Sequence, residues 1–265
     1  MNLTSPSQVK AWCIERGFHP NKTLGQNFLV DANTLEAILD IAAVREGMRV
    51  LEIGPGLGVL TQGLLARGAN VTAIEKDSAL AARLAEELRH PNLSLIAADA
   101  LDEIKKGTCD GYDALVSNLP YQAGTRILLD LVLRPGARPE TMTVLMQTEV
   151  CERLAAMPGD GKKRGLAGVL AQLDYDVECV REVPPSCFWP KPEVGSTVAK
   201  LVRHHRNDNV PAAVRETFRA LAIRAFEHRR KQMGSIFKGV MHSTLRPEQL
   251  TNEEWLALAA GLTEK

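Results

Sequence analysis

From Met48 onward the chain alternates short apolar runs with amphipathic ones. The apolar runs have the length and the β-branched content of buried strands, and the segments between them repeat apolar residues at helical spacing. The apolar runs are RVLEI (49–53), NVTAIE (70–75), LSLIAAD (93–99), DALVSN (113–118) and TMTVLMQ (141–147). This alternation predicts an α/β fold with a mostly parallel sheet of at least five strands, covered by helices on both faces.

The pattern changes toward the end of the chain. YDVECVREV (175–183) and STVAKLVRH (196–204) read as two further strands, and the proline-rich segment 184–194 between them is interpreted as a hairpin arm. From Pro211 the remaining sequence has helical periodicity, over residues 214–233 and again over residues 247–262. We therefore predict two domains, a sheet domain over residues 1–204 and a small helical domain over residues 205–265.

Composition excludes several classes of protein. No apolar run approaches the roughly 20 residues that span a bilayer, and the first residues contain no apolar leader, so we expect a cytoplasmic protein. The five cysteines are scattered without a CxxC pair, and the six histidines show no ligand spacing. We expect neither a disulfide framework nor a metal site.

The charge is unevenly distributed although the formal net charge is zero. Residues 51–130 hold seven Lys/Arg against eleven Asp/Glu, whereas residues 204–240 hold eight against three. Such a basic segment indicates either a polyanion-binding surface or an ordinary solvated helix face. The candidate phosphate contacts are Arg224, Arg229, Arg230 and Lys231, with Lys162, Lys163 and Arg164 in the polar loop 157–165 as a second group.

A glycine-rich turn, EIGPGLG, lies between the first predicted strand and its helix. Gly54, Gly56 and Gly58 would let the backbone approach a ligand closely, and the helix that follows offers free N–H groups. In the dinucleotide pattern GxGxxG the third glycine comes one residue later than here. Glu75 lies 21 positions beyond Gly54, where an acidic residue can hold a ribose diol, and Asp99 ends the next predicted strand in the same way.

The stretch LVSNLPY (115–121) begins as a buried strand and ends abruptly. Pro120 cannot donate to a sheet and holds Leu119 extended, so Asn118 and Tyr121 should lie at the carboxyl edge of the sheet, where open parallel sheets bind ligands. Four successive predicted strands are thus followed, in order, by the glycine turn, Glu75, Asp99 and Asn118. This constellation is similar to that of S-adenosylmethionine-dependent methyltransferases, and Asn118-Leu119-Pro120-Tyr121 resembles their motif for methylating exocyclic amines.

That resemblance implies a chemical role for each residue of the motif. An exocyclic adenine amine is a poor nucleophile because its lone pair is delocalised into the ring. Two carbonyl oxygens, those of the Asn118 side chain and the Leu119 backbone, would accept hydrogen bonds from the two N–H groups of this amine and so localise the lone pair on its nitrogen. Pro120 would fix the turn that presents them. Tyr121 would stack on the base. The alternative for Tyr121 is simple packing in the core.

Other segments resemble the small-subunit ribosomal RNA adenine dimethylase family (KsgA/RsmA). They are KTLGQNFLVD (22–31), QTEVCERL (147–154), VPPSCFWPKPEV (183–194) and AFEHRRK (225–231). The resemblance implies dimethylation of two adjacent adenosines near the 3′ end of 16S ribosomal RNA, in a precursor of the small subunit, by a protein expected to be monomeric. Its cofactor contacts would be Asn27, Leu29, Gly54, Gly56, Glu75, Asp99 and Asn118. Phe188 would be a second stacking aromatic, or else a packed loop residue.

The sequence departs from the family pattern at three places: Gln122 after NLPY, Gly195 before Ser196, and Arg164-Gly165-Leu166 in the polar loop. These departures affect the expected fit of the target loop more than the methyl chemistry. Three other functions remain open at this point. The chain could be a large-subunit dimethylase, a non-catalytic ribosome-assembly factor with the same fold, or, least favoured by the glycine spacing, a dinucleotide oxidoreductase.

Overall fold

The computed structural model describes residues 1–21, 24–241 and 243–263. Lys22 and Thr23, the first two residues of the predicted segment 22–31, lie outside the described residues. The strands are β1 (Phe28–Leu29), β2 (Arg49–Ile53), β3 (Asn70–Glu75), β4 (Leu93–Ala97), β5 (Ala114–Asn118), β6 (Thr141–Gln147), β7 (Tyr175–Val183), β8 (Phe188–Trp189) and β9 (Ser196–Arg203). The helices are α1 (Pro6–Glu15), α2 (Ala32–Ile41), α3 (Val59–Ala66), α4 (Ser78–Glu87), α5 (Ala100–Lys106), α6 (Gly124–Leu133), α7 (Thr148–Ala155), α8 (Leu166–Ala171), α9 (Ala212–Glu227), α10 (Met233–Ile236) and α11 (Asn252–Thr263).

Seven strands form one sheet in the order β4-β3-β2-β5-β6-β9-β7. The pairs from β4 to β6 are parallel, and β9 runs antiparallel to β6. Because the strand order reverses between β2 and β5, the loops that leave these two strands diverge and open a crevice at the carboxyl edge. The predicted α/β fold with a mostly parallel sheet is confirmed.

The central strands are apolar because both of their faces are covered. Val50 and Leu51 of β2, Ala73 of β3 and Leu115 of β5 are fully or almost fully buried. Helices α3 and α4 follow β2 and β3 as crossovers, so a continuous apolar sequence rather than an alternating one suits these strands. The core therefore lies along the sheet and leaves the strand ends to carry polar side chains.

The helices next to the sheet begin and end at residues whose chemistry suits those positions. Asp77 caps α4, and its carboxylate accepts hydrogen bonds from the backbone N–H groups of Ala79 and Leu80. Gly68 follows α3 with φ +78°, which is the left-handed conformation that favours glycine. One detail differs from the prediction. Asp99 lies two residues beyond β4 and caps α5, because its carboxylate accepts from the N–H of Leu101.

The chain divides into two compact units, which differ from the predicted domains in their composition. One unit comprises Met1–Cys151 and Glu178–Val202, and the other comprises Glu152–Val177 and Arg203–Lys265. The second unit thus contains residues 152–177 in addition to the carboxyl-terminal helices. The buried Arg164 explains this grouping, since its guanidinium donates to the carbonyl of Leu250 and to the side chain of Asn252.

The helix predicted over residues 214–233 is shorter than expected. Helix α9 ends at Glu227, and residues 228–231 form a turn in which the N–H of Lys231 donates to the carbonyl of His228. This turn brings Met233 into the interior, where it is fully buried. Helix α10 begins at that residue, so the helical periodicity predicted over residues 214–233 is interrupted at residues 228–232.

Helices α1 and α8 were not anticipated, and neither was the small sheet formed by β1 and β8. Among the described residues, no helix is long and apolar enough to cross a membrane. The same residues contain no group of three or more His, Cys, Asp or Glu side chains that could hold a metal ion. All five cysteines are free thiols.

Candidate active site

The glycine-rich turn after β2 adopts backbone conformations that side chains disfavour. Gly54, Gly56 and Gly58 have φ values of +70°, +58° and +88°. A Cβ atom on Gly56 would lie 3.0 Å from the ring of Phe28, and one on Gly58 would lie 2.5 Å from the side chain of Leu84. The turn is therefore compressed between the amino-terminal segment and α4, and only glycine fits it.

Glu75 ends β3 directly beside this turn and is 6% exposed. Its carboxylate accepts hydrogen bonds from the backbone N–H groups of Gly56, at 3.0 Å, and Asp77, at 2.8 Å. Burial raises the pKa of Glu75, and these two hydrogen bonds oppose the shift. A carboxylate has about four acceptor positions, so Glu75 keeps acceptor capacity for ligand hydroxyl groups.

Two adjoining cavities occupy the carboxyl edge of the sheet. The first, of about 70 Å³, is lined by residues 24–29, the glycine turn, Glu75 and residues 118–121. The second, of about 300 Å³, is lined among others by Lys76, Asp99 and Gln122. Both share Gly54 and Pro120, so they form two lobes around the same turn. The predicted residues Asn27, Leu29, Gly54, Gly56, Glu75 and Asn118 line the first lobe, and Asp99 lines the second.

Asp99 has an ionic partner in the second lobe. Its carboxylate lies 2.8 Å from the ammonium group of Lys76, and this contact lowers the pKa of Asp99. The carboxylate is therefore ionised near neutral pH. Because Asp99 also caps α5, its orientation is fixed before any ligand binds.

The NLPY motif ends β5 as the sequence predicts. Asn118 pairs with Leu145 in the sheet, and the N–H of Leu119 donates to the Leu145 carbonyl at 3.1 Å. The side-chain nitrogen of Asn118 donates to the carbonyl of Asn27 at 3.0 Å. Within the described residues, neither the side-chain oxygen of Asn118 nor the backbone oxygen of Leu119 accepts a hydrogen bond. Two acceptors are thus left at one edge of the cavity.

Tyr121 follows this pair of acceptors and is partly buried. Its hydroxyl lies 2.5 Å from the hydroxyl of Ser196, the first residue of β9. Burial raises the pKa of Tyr121, so the phenol is protonated at neutral pH. Tyr121 lines the first cavity and is not simply a core residue.

Phe188 is buried, at 3% exposure. It belongs to β8, which pairs antiparallel with β1 so that Phe188 lies opposite Leu29. This arrangement fits the second alternative given for Phe188, a packed aromatic. A base could stack on its ring only after the proline-rich segment 184–194 had moved.

The structure adds three polar residues to those that the sequence singled out. Glu52, in the middle of an apolar strand, is 1% exposed and accepts a hydrogen bond from Thr61; burial raises its pKa to about 8. Gln26 donates to the carboxylate of Asp77 at 2.9 Å and lines the first cavity. Ser196 contacts Tyr121. Of the three, only Glu52 had a sequence signal, namely an acid within a buried strand.

The basic residues that were predicted to contact RNA differ in their exposure. Lys162, Lys163, Arg224, Arg230 and Lys231 are exposed, and Lys163 pairs with Glu152 at 3.1 Å. Arg229 is partly buried and donates to the backbone carbonyls of Lys162 and Arg164, both at 3.2 Å. The predicted phosphate contact at Arg164 was wrong, because that side chain is 1% exposed and its guanidinium holds α11 and the segment before it.

The site offers what S-adenosylmethionine requires. Glu75 has free acceptor positions for ribose hydroxyls, the glycine turn provides close backbone approach, and two carbonyl oxygens lie at the reacting edge. The fold and this site define a Rossmann-like methyltransferase that uses S-adenosylmethionine. The family model for ribosomal RNA adenine dimethylase matches residues 17–254, and the chain belongs to that family.

Curated relatives cover almost the whole chain. A protein of Opitutus terrae named ribosomal RNA small subunit methyltransferase A is 38% identical, over 97% of this chain and 98% of that one. Proteins of the same name from Chlamydia abortus and Deinococcus radiodurans are 35% and 39% identical. The alignment with the Chlamydia abortus protein covers 97% of both chains, and the alignment with the Deinococcus radiodurans protein covers 91% of this chain and 80% of the relative.

Two solved structures have similar folds. A dimethyladenosine transferase from Plasmodium falciparum has a TM-score of 0.73 at 23% identity, over 87% of this chain and 95% of that one. The 23S rRNA methyltransferase ErmE has a TM-score of 0.67 at 27% identity, over 89% and 99%. The first supports the fold alone, and the second is also similar in sequence.

Proposed function

We propose that this protein transfers methyl groups from S-adenosylmethionine to N6 of two adjacent adenosines in the hairpin loop near the 3′ end of 16S ribosomal RNA (helix 45). The product is N6,N6-dimethyladenosine, formed during small-subunit biogenesis in the cytoplasm on a precursor particle. The relatives named small subunit methyltransferase A support the choice of RNA.

One observation carries the chemistry. The amide nitrogen of Asn118 is engaged by the Asn27 carbonyl, so the amide oxygen, rather than the nitrogen, is free for a substrate. The free backbone oxygen of Leu119 is the neighbouring acceptor. Two acceptors match the two N–H bonds of an exocyclic amine, and a ring such as Tyr121 beside them suits a planar base.

The residues present explain how the reaction proceeds without a strong base. When bound, S-adenosylmethionine supplies an electrophilic methyl group whose transfer releases a neutral thioether. In the first transfer, the Asn118 and Leu119 oxygens accept hydrogen bonds from the two N–H groups of the amine and direct the nitrogen lone pair away from the adenine ring. In the second transfer, one N–H group remains for this contact. The two oxygens also stabilise the positive charge that develops on the nitrogen, because they are oriented before the reaction begins. The proton lost after each transfer goes to solvent.

The same two lobes would hold the cofactor. Glu75 would accept from the ribose hydroxyls, and Asp99, which lines the second lobe, would accept from the adenine. Gly54 and Gly56 let the backbone approach the cofactor. Binding does not require these acids to change partners, since both are fixed by backbone N–H donors.

A second candidate, methylation of large-subunit RNA, is favoured by the similarity to ErmE at 27% identity. Mass analysis of RNA fragments distinguishes the two. The purified protein should add methyl mass to the 3′ terminal fragment of 16S RNA in an immature small subunit and leave 23S RNA unchanged. Methylation of 23S RNA alone would overturn the proposal in favour of the second candidate, and methylation of neither would support a non-catalytic role.

A further inference from the structure

The side chain of Tyr121 forms a hydrogen bond with β9, the strand that follows the proline-rich segment 184–194. Its hydroxyl lies 2.5 Å from that of Ser196, which is 1% exposed. The two residues are 75 positions apart in the chain, so this contact joins the NLPY motif to β9. A tyrosine that served only for stacking would not need a buried partner for its hydroxyl.

Ser196 itself is held rigidly. It pairs with Gln147 at the end of β6, and the carbonyl of the preceding Gly195 accepts from the N–H of Thr148 at 3.1 Å. The backbone that carries the Ser196 hydroxyl is therefore fixed, and this buried hydroxyl limits where the Tyr121 ring can go.

The backbone of Tyr121 is confined from the opposite side. A Cβ atom on Gly25 would lie 3.2 Å from the backbone nitrogen of Tyr121, so the amino-terminal segment lies directly against this residue. Only rotation about the side-chain bonds remains as freedom for the ring. The hydrogen bond to Ser196 removes that freedom.

We propose that Ser196 is a positioning residue for methyl transfer, which fixes the ring plane of Tyr121 so that the target base stacks with its amine against Asn118 and Leu119. This inference rests on the proposed function. It also gives a reason for the hydroxyl group of Tyr121, because a phenylalanine ring would stack on the base but would not be held in one orientation.

The test compares Ser196→Ala, Tyr121→Phe and the double variant with the wild type. Three quantities are measured: kcat/KM for an RNA hairpin carrying the adenosines, cofactor affinity, and the emission of a hairpin with 2-aminopurine at the target position. Loss of one hydrogen bond predicts a decrease of about two- to tenfold in kcat/KM, with unchanged cofactor affinity. Emission should rise in each variant, because the base stacks less well.

The double variant should lose no more activity than either single variant, because both substitutions remove the same bond. Thr197→Val is the matched control. It removes a neighbouring hydroxyl that contacts Thr148 but not Tyr121, and it should lower the urea midpoint without changing kcat/KM or emission.

Several results would overturn the inference. Wild-type kcat/KM and emission in Ser196→Ala, or losses that multiply in the double variant, would mean that the bond does not position the ring. If Ser196→Ala does not fold, Tyr121→Phe removes the same bond from the more exposed partner, and wild-type behaviour in that variant decides against the proposal. A wild-type protein that methylates no RNA would instead count against the proposed function.

Discussion

The side-chain nitrogen of Asn118 donates to the backbone carbonyl of Asn27 at 3.0 Å, across 91 positions of sequence. This contact joins the end of β5 to the segment that precedes β1. It also determines which end of the amide faces the cavity. The acceptor that the proposed reaction needs is thus oriented by a residue that contributes only its backbone.

Asn118→Ala should fold and bind cofactor but transfer methyl groups at least about a hundredfold more slowly, comparable to the loss of one preorganised transition-state partner. Asn118→Asp gives a sharper test. It keeps acceptor oxygens but cannot donate to Asn27, and its carboxylate would lie against a carbonyl oxygen. We expect it to be strongly impaired as well, as measured by single-turnover methylation of an RNA hairpin.

Asn70→Ala is the control for this prediction. Its amide donates to the carbonyl of Gly47 at 3.1 Å, at the opposite end of β3 from the active edge. It should leave the single-turnover rate unchanged. A normal dimethylation rate in Asn118→Ala would exclude the proposed activation of the amine.

Glu75→Ala should weaken S-adenosylmethionine binding by about 1.5–3 kcal/mol, because hydrogen bonds to a charged group are lost. In affinity this is a decrease of roughly 10- to 150-fold, measurable by calorimetry. Glu103→Ala is the matched control, since Glu103 is also a largely buried carboxylate but lines neither lobe. Equal affinities of the Glu75 variant and the wild type would remove Glu75 from the cofactor site.

The sheet was predictable because its signals are local. Each strand from β2 to β6 is a short apolar run next to an amphipathic one, and the caps at Asp77 and Gly68 depend on neighbouring residues alone. The carboxyl edge then follows from parallel pairing, which brings Glu75 and Asn118 to one crevice without any further information.

The remaining features depend on contacts between distant residues, which a single sequence does not reveal. Ser196 meets Tyr121 only because β9 inserts beside β6, and Arg164 is buried only because α11 packs over it. A basic residue in a polar loop resembles a phosphate contact until its partners are seen. The early end of α9 has a similar cause, since the burial of Met233 overrides the helical pattern of the sequence.

Glu52 should make the protein less stable as the pH rises. Its pKa is about 8 in the folded protein and near 4.5 when unfolded, so between these values the folded state keeps a proton that the unfolded state has released. The contribution of Glu52 to the free energy of unfolding is thus fully present below about pH 4.5 and is lost as the pH rises through about 8.

Glu52→Gln carries no titratable proton and should therefore flatten the pH dependence between pH 5 and pH 8, as measured by urea unfolding. A smaller slope should remain, because burial also raises the pKa of Glu75. Glu103→Gln is the control: the pKa of Glu103 is lowered, chiefly by its hydrogen bond with Lys106, so its titration is complete below this range. Identical pH profiles for Glu52→Gln and the wild type would show that Glu52 is already ionised.

The exposed basic residues after α9 should hold RNA phosphates, and the structure separates their roles. Arg230 and Lys231 are exposed, whereas Arg229 donates to the carbonyls of Lys162 and Arg164 and so fixes the loop that presents Lys162 and Lys163. Arg230→Gln and Lys231→Gln should each lower the slope of log affinity against log salt by roughly 0.7–0.9, with cofactor affinity unchanged.

Arg229→Gln should instead expose the loop to proteolysis, because the guanidinium that joins this loop to the end of α9 is gone. Arg45→Gln removes an exposed charge from the other unit and should leave the slope as it is in the wild type. Affinity for a 16S RNA fragment at several salt concentrations gives the slopes. If the variants at Arg229, Arg230 and Lys231 all keep the wild-type slope, the basic segment is only a solvated face. The phosphate contacts must then come from Lys162 and Lys163, whose double replacement by Gln should lower the slope.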